Sequence, residues 1–241
     1  MILLGSIINS VLIIIGSIIG RLFQNIPEQM KNTVLQIIGL AVAVLGIQMG
    51  FETSNFVIVI ISLVIGTVLG EWIDLDRLIG KLGKWVESLF KKRKPSAGTG
   101  TSTSISDAFV TATLLFVIGS MGIIGALDSG LRNNHDVLIT KGIIDGFISI
   151  ILSSTLGLGV LLSAVPILLY EGMIALLAGI ISEFIPEAAL NLYIQEMTAT
   201  GGIMILAIGL NMAGLTKIRV ANLLPGIIIV GIVIAVMFPF Q

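Results

Sequence analysis

Residues 138–159 read LITKGIIDGFISIILSSTLGLG, a stretch long and apolar enough to cross a bilayer as a helix. Its polar residues recur at steps of four and therefore share one helical face: Lys141, Asp145, Ser149 and Ser153. Since charged side chains are costly in hydrocarbon, such a face usually lines a protein interior or a watery cavity. Two interpretations stay open. Either Lys141 and Asp145 only neutralise each other near the membrane surface, with the serines as packing contacts, or the face handles a substrate or ion.

Composition places the whole chain in the membrane. Of its 241 residues 56% are hydrophobic and 11% are charged, which is too little charge to cover a soluble domain. Apolar runs of about 20 residues recur along the chain, each sufficient for one span. We therefore predict an all-α, polytopic integral membrane protein with about eight transmembrane helices.

The net charge and the scarcity of cysteine and histidine limit the kinds of partner and metal site that the protein can have. The net charge of -1 gives no indication of a nucleic-acid partner. The absence of cysteine excludes disulfides and thiolate metal ligands, and a single histidine excludes an ordinary multi-histidine site. We predict no metal and no cofactor. The expected partners are the lipid bilayer and a small-molecule or ion substrate, and the composition is compatible with a homo-oligomer.

The spans group into four predicted regions. They are a first three-span repeat (1–71), an interfacial amphipathic helix with a flexible cytoplasmic linker (72–106), two central spans (107–163) and a second three-span repeat (164–241). The sixth span is expected to begin at Pro166. A polar, acidic connection from Glu183 to Glu196 is expected to precede the seventh span, residues 198–215.

The positions of the lysine and arginine residues predict how the chain is oriented in the membrane. Apolar residues at helical spacing after Glu71, with two tryptophans, are typical of a helix lying in the membrane interface. This segment ends in the basic run 91–94, and placing it in the cytoplasm also puts most other loop cations inside. Both chain termini are then expected outside the cell.

Several glycines interrupt the end of the predicted fourth span, about 107–127. Gly119, Gly122 and Gly125 follow at steps of three and are succeeded by Asp128-Ser-Gly. Such a pattern fits either a glycine packing face that runs into a loop or a broken, re-entrant element. We expect the packing face, because small residues are common at helix contacts in membranes.

An internal repeat is also predicted. One offset of 163 residues aligns Gly39 with Gly202, Gly46 with Gly209, and Gln48-Met49 with Asn211-Met212. It also aligns Gly16 with Gly179. A shift of five spans would make the copies cross the membrane in opposite directions, as in many secondary transporters. Chance matching is the alternative, because glycine makes up 28 residues of the chain.

Several motifs resemble one bacterial membrane family, called domain of unknown function 554. They are Gly-Ser-Ile-Ile-Asn9 with Gly16 and Gly20, Gly-Ile-Ile-Gly125-Ala, Lys141…Asp145, Ser154-Thr-Leu-Gly157-Leu-Gly-Val160 and Arg219-Val-Ala-Asn222-Leu-Leu-Pro225. The resemblance implies a multi-spanning protein of the bacterial cell membrane. Where the family pattern has Tyr-Gln-Gly, this chain has Tyr170-Glu171-Gly172, so the resemblance favours Asp145 over Glu171 as the functional carboxylate.

Function is predicted from polar residues that could converge within the membrane. Candidate substrate- or ion-binding residues are Asn9, Gln48, Lys141, Asp145, Ser149, Glu171 and Asn211. We expect a secondary transporter or ion-coupled carrier of a small solute or ion. A channel and a non-transporting scaffold are the alternatives. Catalysis is not expected, because the sequence lacks a recognisable catalytic constellation.

Overall fold

A computed structural model of the chain describes residues 1–23, 27–81 and 105–237. Apart from short connections, these residues are helical. The helices are α1 (Leu4–Leu22), α2 (Glu28–Gly50), α3 (Phe56–Ile73), α4 (described over 75–81), α5 (Ile105–Val117), α6 (Ser120–Arg132), α7 (Asp136–Leu156), α8 (Gly159–Leu162), α9 (Ala164–Phe184), α10 (Glu187–Met212) and α11 (Pro225–Met237), with a 3-10 turn at Val220–Leu223.

The described helices confirm an all-α, multi-spanning fold. Seven helical segments are long and apolar enough to cross a membrane, and the pair α5 and α6 makes an eighth if the two count as one bent span. Helix α10 lies at the centre, because 72% of its apolar window is buried against 28–44% for the other six segments. The remaining spans surround it and present apolar side chains outward, where lipid would lie.

Helix α1 packs along α7 in the same direction, backbone against backbone. A Cβ at Gly16 would lie 2.1 Å from the carbonyl oxygen of Gly146, and one at Gly20 would lie 2.2 Å from that of Ile150. Neither glycine can carry a side chain without moving its neighbour. This close approach is the expected use of small residues where lipid gives helices no hydrophobic reason to associate. Ser153 adds a hydrogen bond from its Oγ to the Ser17 carbonyl oxygen, at 2.8 Å.

Helices α2 and α10 cross in opposite directions at two glycine pairs. A Cβ at Gly46 would lie 2.6 Å from the Gly202 carbonyl oxygen, and one at Gly39 would lie 2.7 Å from that of Gly209. The reverse contacts are equally close, at 2.8 Å and 2.5 Å. Helix α3 approaches α11 in a similar way, with Gly66 against the Gly226 backbone.

The fourth predicted span is not a continuous helix, so the expectation of a packing face running into a loop is wrong. Helix α5 ends at Val117, α6 begins at Ser120, and the two axes differ by 63°. Gly119 has φ 141°, a conformation that residues with a Cβ rarely adopt. The chain therefore breaks at this glycine, and the broken-element alternative describes the region.

Three predicted boundaries also change. The acidic connection 183–196 is largely absent, since α10 already begins at Glu187, directly after Pro186. Helix α9 begins at Ala164, with Pro166 inside its first turn. Helix α3 continues through Trp72 to Ile73 and ends where Asp74 adopts the left-handed conformation, with φ 56°. A separate helical segment follows at 75–81, and the predicted interfacial helix and linker between residues 82 and 104 lie outside the described residues.

Replacing Gly16 with alanine should destabilise the protein, because its Cβ would strike backbone atoms of α7. Overpacking of this kind costs about 1–3 kcal/mol. Gly179→Ala is the matched control, since a Cβ there would meet nothing within 4 Å. The measurement is the thermal unfolding midpoint of the two detergent-purified variants. Equal midpoints for both variants would contradict the described α1–α7 contact.

Candidate functional site

The polar face of α7 points into the protein. Lys141, Asp145, Ser149 and Ser153 are all buried, while Ile143, Ile144, Phe147 and Ile151 on the other side are exposed. Because α1 covers the polar face at backbone distance, the polar side chains are enclosed between helices. The predicted stripe is therefore an interior feature of the fold.

Helices α1, α7 and α9 bring four polar side chains together, two of which belong to the polar face of α7. The Lys141 ammonium contacts the Asp145 carboxylate one turn away on α7. Its Nζ also lies 3.5 Å from Oε1 of Glu171, on α9. Asn9 on α1 donates from Nδ2 to the same Glu171 oxygen, at 2.7 Å. We call Asn9, Lys141, Asp145 and Glu171 the charged cluster.

Helix α6 closes the fourth side of the charged cluster. A Cβ at Gly122 would lie 3.5 Å from Lys141 Cε and 3.7 Å from Glu171 Oε1. Gly122 belongs to the first turn of α6, just after the break at Gly119. The broken span therefore delivers a helix N-terminus, with its partial positive charge, to the side of a buried carboxylate.

Burial in the charged cluster is nearly complete. Asn9 and Glu171 have no exposed surface, and Lys141 and Asp145 retain 6% and 5% of theirs. When all groups are ionised, two carboxylates face one ammonium, which leaves one negative charge uncompensated. An uncompensated charge in a low-dielectric interior is strongly unfavourable. The arrangement is thus suited to accepting one more positive charge.

Several buried oxygens of the cluster and of helices α1 and α7 have no hydrogen-bond partner among the described residues. They include Glu171 Oε2, Asn9 Oδ1 and the Ser149 hydroxyl, together with the hydroxyls of Ser6 and Ser10. Ser6, Asn9 and Ser10 share one face of α1 by their spacing of three and four. Buried polar groups usually have partners, so a set of such oxygens calls for a functional explanation.

Two predicted site residues do not join the cluster. Gln48 is exposed on α2. Asn211 is held by its own loop: its Oδ1 accepts from Thr216 Oγ1 at 2.7 Å and from the Ile218 amide at 2.9 Å, and its Nδ2 donates to the Ile218 carbonyl oxygen. These two amides therefore lie apart from the charged cluster. Asn211 instead helps to line a cavity of ≈ 890 Å³ between α4, α5, α10 and the 3-10 turn.

Sequence reasoning missed a third buried carboxylate. Glu196 on α10 has no exposed surface and accepts four hydrogen bonds from the loop between α2 and α3. The donors are the hydroxyls of Thr53 and Ser54 and the backbone amides of Ser54 and Asn55. Asn55 in turn caps α3, accepting from the Val57 amide. Glu196 holds the α2–α3 loop in place, and both of its carboxylate oxygens accept hydrogen bonds, unlike those of Glu171.

The fold and this site define a multi-spanning α-helical membrane protein with a buried charged cluster. The chain belongs to the family described as "Protein of unknown function (DUF554)", whose model matches residues 4–235. The resemblance seen in the sequence motifs is thereby confirmed.

Two relatives are similar over nearly their whole length. The "Uncharacterized membrane protein YdfK" of Bacillus subtilis is 35% identical over 242 residues, covering 98% of this chain and 97% of the relative. The "Uncharacterized protein YqgA" of Escherichia coli is 26% identical over 229 residues, covering 94% of each chain. No solved structure matches the chain.

Lys141→Met should destabilise the protein strongly, because it leaves two buried carboxylates without a cation. Breaking a buried pair from one side typically costs about 3–5 kcal/mol. The double variant Lys141→Met/Asp145→Leu should recover part of this loss, since it removes one of the orphaned charges. Thermal unfolding midpoints of the two variants and the wild type measure the coupling. A double variant less stable than Lys141→Met would show that the pair is not coupled as described.

Proposed function

We propose that this protein is an ion-coupled secondary transporter that moves a small solute or ion across the bacterial cell membrane. The observation that carries the proposal is the charged cluster, buried between α1, α6, α7 and α9 with an unequal number of acidic and basic groups. Ionisable groups are retained inside membrane spans at a cost in stability. By default such groups mark a pathway for a substrate or ion.

In this mechanism the charged cluster alternates between two partners. Lys141 neutralises Asp145 when no substrate is bound. An arriving cation, or a positively charged substrate group, competes with the Lys141 ammonium for the carboxylates and frees it to move. Because the buried groups must stay close to neutral, binding and release are tied to rearrangement of the helices around them.

The break between α5 and α6 supports this mechanism. Transporter sites are often formed by discontinuous helices, whose exposed termini supply partial charges to the substrate or coupling ion. Here the first turn of α6 adjoins Lys141 and Glu171. A bent span beside the charged cluster could change its angle while the neighbouring helices stay packed.

The crossing of α2 and α10 supports the inverted repeat. The 163-residue offset aligns Gly39 with Gly202 and Gly46 with Gly209. In the structure Gly46 contacts Gly202 and Gly39 contacts Gly209, so each glycine meets the residue aligned with the other glycine of its own helix. A two-fold axis between the copies would produce such a pattern. Gly16 and Gly179 do not follow it, because Gly16 is tightly packed and Gly179 is open. The support is therefore strongest for the middle helices of the two copies.

Several finer statements belong to the same proposal. We place both termini outside the cell and residues 72–106 in the cytoplasm, following the distribution of cations. We expect a membrane-embedded carrier, free or as a homo-oligomer, without enzymatic activity and without a nucleic-acid partner. Labelling of single introduced cysteines with a membrane-impermeant reagent would determine the orientation.

A channel is the second candidate, favoured by the break at Gly119. Non-helical backbone at membrane depth can line a fixed conduit as well as a carrier site. The two candidates differ in kinetics. A carrier gives saturable, stereoselective uptake, whereas a channel gives large single-molecule currents in a planar bilayer.

Asp145→Asn should reduce transport about tenfold or more, because it removes the charge that the ion or substrate must balance. Wild type and variant would be reconstituted in liposomes and tested for uptake of amino acids, small organic acids and amines under ion gradients. Asp128→Asn is the matched control, since Asp128 forms an i,i+4 pair with the largely exposed Arg132. Undiminished uptake by the Asp145→Asn variant would refute the role assigned to the charged cluster.

A further inference from the structure

Charge within the cluster is unevenly distributed between its two carboxylates. Asp145 is in contact with Lys141, while Glu171 has the same ammonium at 3.5 Å from Oε1 and only the neutral amide of Asn9 in hydrogen-bond range. Glu171 Oε2 has no partner among the described residues. The uncompensated negative charge of the cluster is therefore located on Glu171.

No other described cation of the surrounding helices reaches Glu171. The remaining charged residues of α1, α6, α7 and α9 lie in terminal turns: Arg21, Asp128, Arg132, Asp136 and Glu183. Arg132 is paired with Asp128. The charge that balances Glu171 must therefore come either from Lys141, which would then leave Asp145, or from outside the protein.

The unpartnered oxygens of Glu171 and of the polar face of α1 indicate what kind of charge is suited to the site. Asn9 orients its amide toward Glu171, and its own Oδ1 is buried and unpartnered. The hydroxyls of Ser6 and Ser10, on the same face of α1, are also buried and unpartnered. One proton on Glu171 Oε2 would satisfy that oxygen and one acceptor, and it would leave the other oxygens as they are. A small hard cation prefers several oxygen ligands and would satisfy several of them together.

We propose that Glu171 binds one sodium ion, with Asn9 Oδ1 as a second ligand and with the buried hydroxyls of Ser6 and Ser10, on the same helix as Asn9, as further oxygen donors. The site deepens the transporter proposal and rests on it only in assigning the bound ion as the coupling ion. One bound Na⁺ brings the cluster to neutrality with Lys141 still on Asp145. The ion takes Glu171 from the Lys141 ammonium, which then interacts with Asp145 alone, so ion occupancy sets how strongly the cluster holds the lysine side chain.

The test is sodium binding by the full-length protein, purified in detergent or lipid nanodiscs. Radioactive sodium binding is measured by scintillation proximity, and the thermal unfolding midpoint is measured in NaCl, KCl and choline chloride at equal ionic strength. A ligand that binds only the folded state raises stability in proportion to the logarithm of its concentration above Kd. We expect saturable sodium binding and a midpoint that rises with NaCl but not with the other two salts.

Variants locate the ion. Glu171→Gln keeps the size of the side chain and removes the charge, so sodium binding should disappear. Glu183→Gln, on the same helix but exposed, should bind as wild type does. Asn9→Ala covers the case in which Glu171→Gln fails to fold, and it should weaken sodium binding about tenfold or more through loss of one charge-dipole ligand.

Each other outcome overturns the site. Equal midpoints in all three salts, without saturable binding, would show that Glu171 carries no sodium. A midpoint that depends on pH alone would identify a proton in its place. Retained binding in a folded Glu171→Gln variant would move the ion elsewhere.

Failure of the site and failure of the transporter proposal are distinguishable. Uptake that depends on Asp145 but not on sodium would leave the transporter standing without this ion site. Sodium binding that requires Glu171, in a protein that transports nothing in liposomes, would leave the ion site standing without the transporter.

Discussion

The close contact between α1 and α7 determines most of what this protein can do. Gly16 and Gly20 bring the two backbones within a distance that excludes any side chain between them. At that distance the polar face of α7 has no access to lipid and must find its partners inside the protein. Asn9, on the same helix as these glycines, donates a hydrogen bond to Glu171 of α9. The charged cluster is thus a consequence of helix approach.

Two buried carboxylates show how differently the fold treats similar groups. Glu196 accepts four hydrogen bonds from one loop, so its charge is balanced by fixed dipoles. Glu171 receives one hydrogen bond and shares a lysine with Asp145. A carboxylate that accepts hydrogen bonds from backbone amides and hydroxyls needs no ion. A buried carboxylate with an unpartnered oxygen is suited to a cation that binds and dissociates. Burial alone would not distinguish a carboxylate that holds a loop in place from one that forms a binding site.

Sequence patterns predicted the class of fold and part of the site, and the limits of that prediction are physical. Apolar length identified the spans, and steps of four placed Lys141, Asp145 and Ser149 on one buried face. Whether Gln48 and Asn211 would join the site could not be predicted, because alignment of two copies says nothing about which way each helix is rotated. The break at Gly119 depends on a backbone angle that composition does not encode. The start of α10 was missed because a polar run resembles a loop until the fold supplies Glu196 with donors. The spacing of four allowed Lys141 to pair with Asp145, but the approach of Lys141 and Asn9 to Glu171 depends on how three helices pack.

The crossing of α2 and α10 has a mechanical consequence. Side chains that interdigitate lock two helices in register, since sliding one past the other requires rotamers to change in a densely packed interior. At Gly39, Gly46, Gly202 and Gly209 the opposed surfaces are main chain, smooth on the scale of an atom. At these four positions a small rotation of α2 against α10 therefore requires no change of rotamer, because no side chain stands between the two backbones.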